Sequence, residues 1–252
     1  MDTLRQPFQG VWNIVRFNWH FYVLIAAFLL CLYILNSNIP PQYNAYILLI
    51  SALAIGTTVV SLLVSYYVYD VSNLYTLDWL KDNSNDLNIV NINAGFDETS
   101  ALLVAKYPHA HLTVLDFYDA EKHTEVSIKR ARKAYPPFPN TRTITTSHLN
   151  LGGNSADKIF LTLAAHEIRN DAERGVFFNE LRRVLKPNGQ IFVTEHLRDL
   201  PNFLAYNIGF FHFLSKANWY KTFAAANLKI TKKQAITPFI TLFILEKNGN
   251  TA

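Results

Sequence analysis

Between Arg16 and Asp70 the chain carries no Asp, Glu, Lys or Arg, and most of that interval is apolar. A stretch of this kind is stable in a protein core or in a lipid bilayer, and its pattern separates the two. "WHFYVLIAAFLLCLYIL", residues 19–35, spans roughly 25 Å as a helix rising ~1.5 Å per residue. "AYILLISALAIGTTVVSLLVSYYVY", residues 45–69, is long enough for a ~30 Å hydrocarbon core. The intervening "NSNIPPQYN" breaks the helix with proline and asparagine. A pair of core helices would each keep a polar face for water. A signal peptide fits poorly, because no small-residue cleavage pattern follows Leu35 and a second apolar span does. The pattern predicts a transmembrane hairpin over residues 19–69, with Trp19, Phe21, Tyr66, Tyr67 and Tyr69 as interfacial aromatics.

Ahead of the hairpin, Phe8, Val11, Trp12 and Val15 recur at helical spacing, with Arg5 and Arg16 available to lipid headgroups. This predicts an amphipathic helix within residues 1–18 lying on the membrane surface. The loop between the spans is uncharged, and every Lys and Arg other than Arg5 and Arg16 follows the second span. By the positive-inside rule both termini are cytoplasmic. Only 17% of residues are charged, lean for a purely soluble enzyme. The lone Cys31 lies in the first span, which leaves no disulfide framework and no thiolate metal site. The expected organisation is a linker helix over 70–86 and a cytoplasmic domain over 87–252.

Within that domain short apolar runs alternate with amphipathic stretches. Strands are expected at 88–92, 111–116, 142–147, 158–164 and 190–196, and helices at 99–107, 122–134 and 173–185, the last stopped by "KPNG". Such alternation predicts an α/β fold with a doubly wound, mostly parallel sheet. The closing runs "LKITKKQAI" and "FITLFILEK" are separated only by Thr237 and Pro238. That gap permits an antiparallel hairpin and leaves no room for a parallel crossover.

This order of elements, with "ELRRVLKPNGQIFVTEH" before the fifth strand, resembles the class I S-adenosylmethionine-dependent methyltransferases over about residues 87–247. In style it is similar to the small-molecule methyltransferases of ubiquinone and menaquinone synthesis. The strings "AGFDETS" and "HEIR" are similar to those of a bacterial membrane-anchored subgroup, which brings no substrate with it and suggests the bacterial inner membrane as the location. The resemblance implies a Rossmann-like fold and S-adenosylmethionine as cofactor. In that family an acidic residue and three glycines follow the first strand; here the matching positions hold Asn93, Gly95, Asp97 and Thr99. Gly95 sits where a side chain would collide with the ligand. Asp97 or Glu98 can face the cationic cofactor in place of the neutral Asn93, or can cap the following helix. Asp116, closing the second strand, matches the carboxylate that takes two ribose hydroxyls, with a solvent-facing turn residue as the plainer reading. The resemblance puts Phe117 against the adenine, and Ser147, His148 and Leu149 beside it.

The resemblance also places "AAHEIRND" beside the transferred methyl group. His166 is then the first candidate for a general base, with Glu167 to orient it, and His196 in "TEHLRD" is the second. Bracing of local helices is the alternative for each. Arg169 and Arg198 suit an acidic substrate group or, more commonly, surface ion pairs. The aromatic-rich segment 199–223 falls where the family builds its substrate lid, so it either packs on the sheet or receives a lipophilic acceptor. The basic run 121–143 suits anionic membrane lipid or is a solvated helix face. No nucleic-acid-reading motif occurs, and the "HAH" of His109 and His111 lacks the partners of a metal site, so neither nucleic acid nor metal is expected. The sequence does not give the oligomeric state. Two functions compete: a membrane-anchored methyltransferase acting on a lipophilic small molecule, and a non-catalytic membrane-tethered domain that keeps the fold for binding.

Overall fold

The structure, a computed structural model, describes residues 5–80, 86–122 and 125–249. Three helices come first: α1 (Gln9–Phe17), α2 (Trp19–Asn36) and α3 (Asn44–Tyr66). α2 buries only Leu32, and α3 only Ile47 and Ser65, so neither is the core helix of a globular domain. Both are long and apolar enough to cross a membrane by length and composition. α1 presents Gly10, Asn13 and Phe17 to the rest of the protein and leaves Phe8 and Trp12 exposed.

The expected linker helix does not form. α3 runs into one π-helical turn, Tyr67–Val71, and residues 72–80 are turns and bends, while 81–85 lie outside the described residues. Ser72 bonds back to the Val68 carbonyl at 2.6 Å, and Leu77 adopts φ 57°. This path carries Val68, Leu74, Leu77, Trp79 and Leu80 into buried positions, and burying them outweighs continuing the helix. The Asp70 carboxylate accepts hydrogen bonds from the Gly10 and Val11 amides at 2.7 and 2.8 Å, which caps α1 and clasps the chain's start against the end of α3.

The sheet comprises β1 (Asn88–Asn93), β2 (His111–Asp116), β3 (Arg142–Thr143), β4 (Ala156–Thr162), β5 (Leu185–His196), β6 (Leu228–Thr237) and β7 (Ile240–Lys247). Their order is β3-β2-β1-β4-β5-β7-β6. β1 to β5 are parallel, and β7 runs antiparallel between β5 and β6, as the two-residue connection required. Helices α4 (Ser100–Lys106), α5 (Val126–Ala134), α6 (Asp171–Val184), α7 (Leu200–Tyr206) and α8 (Lys216–Ala225) complete the fold. Alternation along the strands sorts the core into two faces. Val90, Ile159, Ile191 and Phe243 pack with Phe177, Phe178 and Trp219 on one side. Ile89, Phe160, Phe192 and Leu242 pack with Trp79, Leu80 and Leu103 on the other.

Two boundaries differ from expectation. The third strand shrinks to Arg142–Thr143, both exposed, because only Leu115 and Asp116 of β2 reach that edge; Thr145 and His148 then pair within a turn. "KPNG" does not form a loop, since β5 begins at Leu185 immediately after α6. The strand order reverses direction between β1 and β4, so the C-terminal ends of these strands flank the crevice where open α/β sheets bind ligands.

Candidate cofactor and methyl-transfer site

The turn after β1 is built by a residue that the sequence pattern concealed. Asn91, buried within the strand, directs its amide toward Asp97 Oδ1, Thr99 Oγ1 and Ser100 Oγ at 3.3, 3.0 and 2.8 Å. An asparagine set between Val90 and Ile92 was the available signal. Asn93 Oδ1 accepts from the Gly95 amide at 3.0 Å, and Gly95 takes φ 95°, a conformation only glycine adopts without strain. Asp97 Oδ1 accepts from the Thr99 and Ser100 amides at 2.9 and 3.0 Å, capping α4 as one reading anticipated. Its Oδ2 is buried without a hydrogen-bond partner among the described residues. Glu98 is committed elsewhere: it pairs with Arg5 at 2.8 Å and accepts from the Tyr75 hydroxyl at 2.7 Å, while the Arg5 guanidinium stacks 3.7 Å from the Tyr75 ring.

Asp116 closes β2 in the expected place and is buried. Its Oδ1 accepts from the Tyr118 amide at 2.8 Å, and its Oδ2 is held by Arg132 of α5. The same arginine lies across Gly95, where an added Cβ would meet its Cδ and Nη1 and the Tyr118 ring, each at 3.0 Å. Three sequence candidates fall away from this pocket. Phe117 is in the core, 5.4 Å from the Phe177 ring, rather than against an adenine, and Leu149 is fully buried in the same core. His148 stands on the surface near Glu180. Apolar side chains after β2 and β3 fill the sheet's helical layer more readily than they line an open cleft.

A cavity of about 110 Å³ remains beneath the turn, lined in part by Asn93, Phe96, Glu98, Thr99 and Glu167. Clefts for small molecules are typically ~300–1,000 Å³. Gly95 and Asp116 lie outside the cavity's lining, the first covered by the Arg132 side chain and the second paired with it, and that side chain is long and 38% exposed. With it withdrawn, a glycine cradle, an unpartnered Asp97 oxygen and the Asp116 carboxylate fit a cationic nucleoside.

At the end of β4 lies a second group. His166 Nδ1 faces Glu195 Oε2 at 2.6 Å and its Nε2 faces Glu167 Oε1 at 3.1 Å. Burial alone would lower the His166 pKa, but the Glu195 and Glu167 carboxylates override it and raise it well above its ordinary value. In this arrangement His166 is a charged, doubly engaged ring rather than the free base expected from the sequence. Glu167 is likewise buried, yet hydrogen bonds with His166 and His212 hold its carboxyl far below the usual range. The sequence did not single out Glu195 as a partner of His166, nor His212, from the lid, as a partner of Glu167.

His196, ending β5, is the opposite case. Its Nδ1 meets Asn202 Oδ1 at 2.9 Å, and its Nε2 meets the Tyr69 hydroxyl at 2.8 Å. The Asn202 amide already donates to Asp199 and the Phe239 carbonyl, so its oxygen accepts from His196 Nδ1–H. That tautomer leaves Nε2 as an acceptor for Tyr69. Burial pushes His196 down to about 4, with the nearby His166 and His212 adding to the shift against the Asn202 bond. It is therefore neutral at pH 7 and stacked on Phe213 at 4.6 Å. Arg198 bonds the Phe211 and Phe213 carbonyls and so braces the segment that follows α7.

Residues 90–193 match the profile of the family described as "Methyltransferase domain". No curated protein matches the sequence. Among solved structures, a chain of the Haloferax volcanii complex between the Trm112 methyltransferase activator and a methyltransferase is 13% identical, with 70% of this chain and 91% of that chain covered at a TM-score of 0.51. A methyltransferase from Methanosarcina mazei is 16% identical over 65% of this chain and 93% of its own, at 0.49. Geranyl diphosphate C-methyltransferase from Streptomyces coelicolor is 11% identical over 69% and 77%, also at 0.49. The strand order, the glycine-cradled turn and Asp116 at the end of β2 agree with that match: residues 90–193 are similar to a methyltransferase domain, and the chemistry they support is S-adenosylmethionine-dependent methyl transfer.

Proposed function

We propose that the enzyme is embedded in a membrane through α2 and α3, with its catalytic domain on the cytoplasmic side, and methylates a lipophilic small molecule delivered from the adjoining leaflet. One observation carries this reading. Tyr69, in the last turn of the second apolar helix, hydrogen-bonds His196 at the sheet edge that faces the cofactor crevice. The site and the apolar hairpin therefore share a wall. α7 packs along α3, and the lid leaves Leu200, Leu204, Ile208 and Phe211 exposed. Their exposure beside a helix that packs on α3 supports a surface met by apolar molecules.

The cofactor supplies an electrophilic methyl group on a sulfonium. Asn93, Gly95, Asp97 and Asp116 would hold it, and Thr99 supports the turn through Asn91. The neutral His196 accepts at Nε2 from the Tyr69 hydroxyl, so if the attacking atom must lose a proton, that proton passes to His196 by way of this hydroxyl. His166 and Glu167 organise the neighbouring wall. A quinone-like or other isoprenoid ring precursor has the apolar body and ionisable group that such a wall would select.

The test is transfer of labelled methyl from S-adenosylmethionine to a lipid extract by the full chain in vesicles. Label in an organic-phase product, lost in His196→Ala while cofactor binding persists, supports the reading. Label confined to water-soluble acceptors, or full activity of a variant lacking residues 1–66, refutes it.

A further inference from the structure

Outside the cofactor turn, one cluster has an architecture that the methyl transfer described above does not require. His166 ends up beside β5 and His212 comes from the lid, 46 residues later, yet both rings direct Nε2 at the same atom. Glu167 Oε1 lies 3.1 Å from His166 Nε2 and 3.2 Å from His212 Nε2, and the three ligand-type atoms fall within 4.8 Å of one another. On the far side each ring is held by a carboxylate. Glu195 Oε2 is 2.6 Å from His166 Nδ1, and Glu125 Oε1 is 2.5 Å from His212 Nδ1. Pairing of the distal nitrogen with a carboxylate fixes the tautomer and raises the basicity of metal-binding histidines.

From these contacts we propose that His166, Glu167 and His212 form a site for one divalent ion of the zinc class, with Glu195 and Glu125 orienting the two rings. Two imidazoles and one carboxylate make a three-ligand set that leaves a coordination position for water or a substrate oxygen. In a tetrahedral site with bonds of ~2.0–2.1 Å, adjacent ligand atoms stand about 3.3 Å apart, close to the 3.1 and 3.2 Å that separate Glu167 Oε1 from the two rings. Glu167 also lines the cavity beneath the cofactor turn, so the open position adjoins the place of methyl transfer. His166, Glu167 and Glu195 are buried, which fixes most of the ligand set in advance. One group competes for the position: the Arg169 guanidinium contacts both ring nitrogens and the carbonyl oxygen of His212, lying 2.7 Å from Nε2, and stands 3.3 Å from Glu125. It is 42% exposed on a flexible stem and must withdraw when the ion binds. The sequence hid the site because its ligands come from two distant segments without a spacing motif. The proposal does not depend on whether the acceptor is lipophilic.

The test uses the full chain in detergent, stripped with chelator and titrated with Co²⁺ followed by through competition with Zn²⁺. Visible Co²⁺ absorption reads the ligand field, and cofactor affinity measured on each sample reports the fold. We expect saturation at one equivalent and displacement by Zn²⁺. Glu195→Gln, which touches only the orienting carboxylate, should weaken binding ~10–100-fold, and His212→Ala should weaken it further. Arg169→Met should tighten binding, because it removes the competing cation; a merely ion-paired cluster predicts no gain. The proposal is overturned if cofactor-binding wild-type protein takes up no stoichiometric ion, or if His212→Ala binds as wild type does. Should His212→Ala fail to fold, Arg169→Met decides, and unchanged or weaker binding overturns the site.

Discussion

Arg132 lies over Gly95 and on Asp116, two of the positions proposed to hold the cofactor, and removing it should strengthen cofactor binding. Its guanidinium holds Asp116 Oδ2, lies over the Tyr118 ring at 4.4 Å, and covers Gly95. S-adenosylmethionine can reach the Asp116 carboxylate only after this arginine leaves, so the free energy of the displaced contacts is subtracted from the measured affinity. A charge-assisted hydrogen bond is worth ~1.5–3 kcal/mol net, and an exposed pair only ~0.2–1 kcal/mol. With Asp116 buried and Arg132 38% exposed, about 1 kcal/mol is appropriate. At ~1.4 kcal/mol per tenfold, Arg132→Met should lower Kd roughly 5-fold. Calorimetric titration of the full chain in detergent reads this directly, with the neighbouring Lys133→Met as the control for lost helix charge. The reasoning fails if Arg132→Met weakens binding, for then the arginine is part of the bound state rather than an obstacle to it.

Other consequences can be measured with the same material. Asn91→Leu removes the amide that gathers Asp97, Thr99 and Ser100, and should weaken cofactor binding by about 1–3 kcal/mol while the protein stays folded; unchanged affinity would separate Asn91 from the site. Gly10→Ala should loosen the junction, since the new Cβ would stand 2.4 Å from the Tyr69 Cβ. Overpacking of this sort costs ~1–3 kcal/mol and should appear as faster proteolysis near residues 1–18. For His196 the folded pKa of about 4 lies below the ordinary ~6.5, so its contribution is complete above pH ~6.5 and lost as pH falls toward 4. Over that window the wild type should lose roughly 3 kcal/mol more stability than His196→Gln. Parallel pH profiles for the two proteins would show that the buried imidazole is not the titrating group. Trp219→Ala should cost ~3–5 kcal/mol, because the ring is fully buried against Phe178 and Phe223; a thermal unfolding scan checks it.

What the sequence determined by itself were the features carried by local pattern. The charge-free interval forced two long apolar helices, and alternation of apolar runs with amphipathic stretches specified the β/α order. The two-residue gap after Thr237 made the last pairing antiparallel. Gly95 and Asp116 were legible for the same reason, since each follows a strand directly and a strand's end fixes where its next residues lie. The tertiary structure decided everything that depends on partners distant in sequence. Asp116 meets Arg132, Glu98 meets Arg5, His196 meets Tyr69, and Glu167 meets His212. None of these pairs has a spacing that a one-dimensional reading can weigh. The linker helix failed for a related reason: residues 72–80 have helical tolerance locally, but the sheet offers Leu74, Leu77 and Trp79 a buried surface only if the chain turns. Likewise, His166 and His196 are both histidines at strand ends, indistinguishable along the chain. Folding places one between carboxylates and the other against apolar rings and a tyrosine, and those surroundings set opposite charge states.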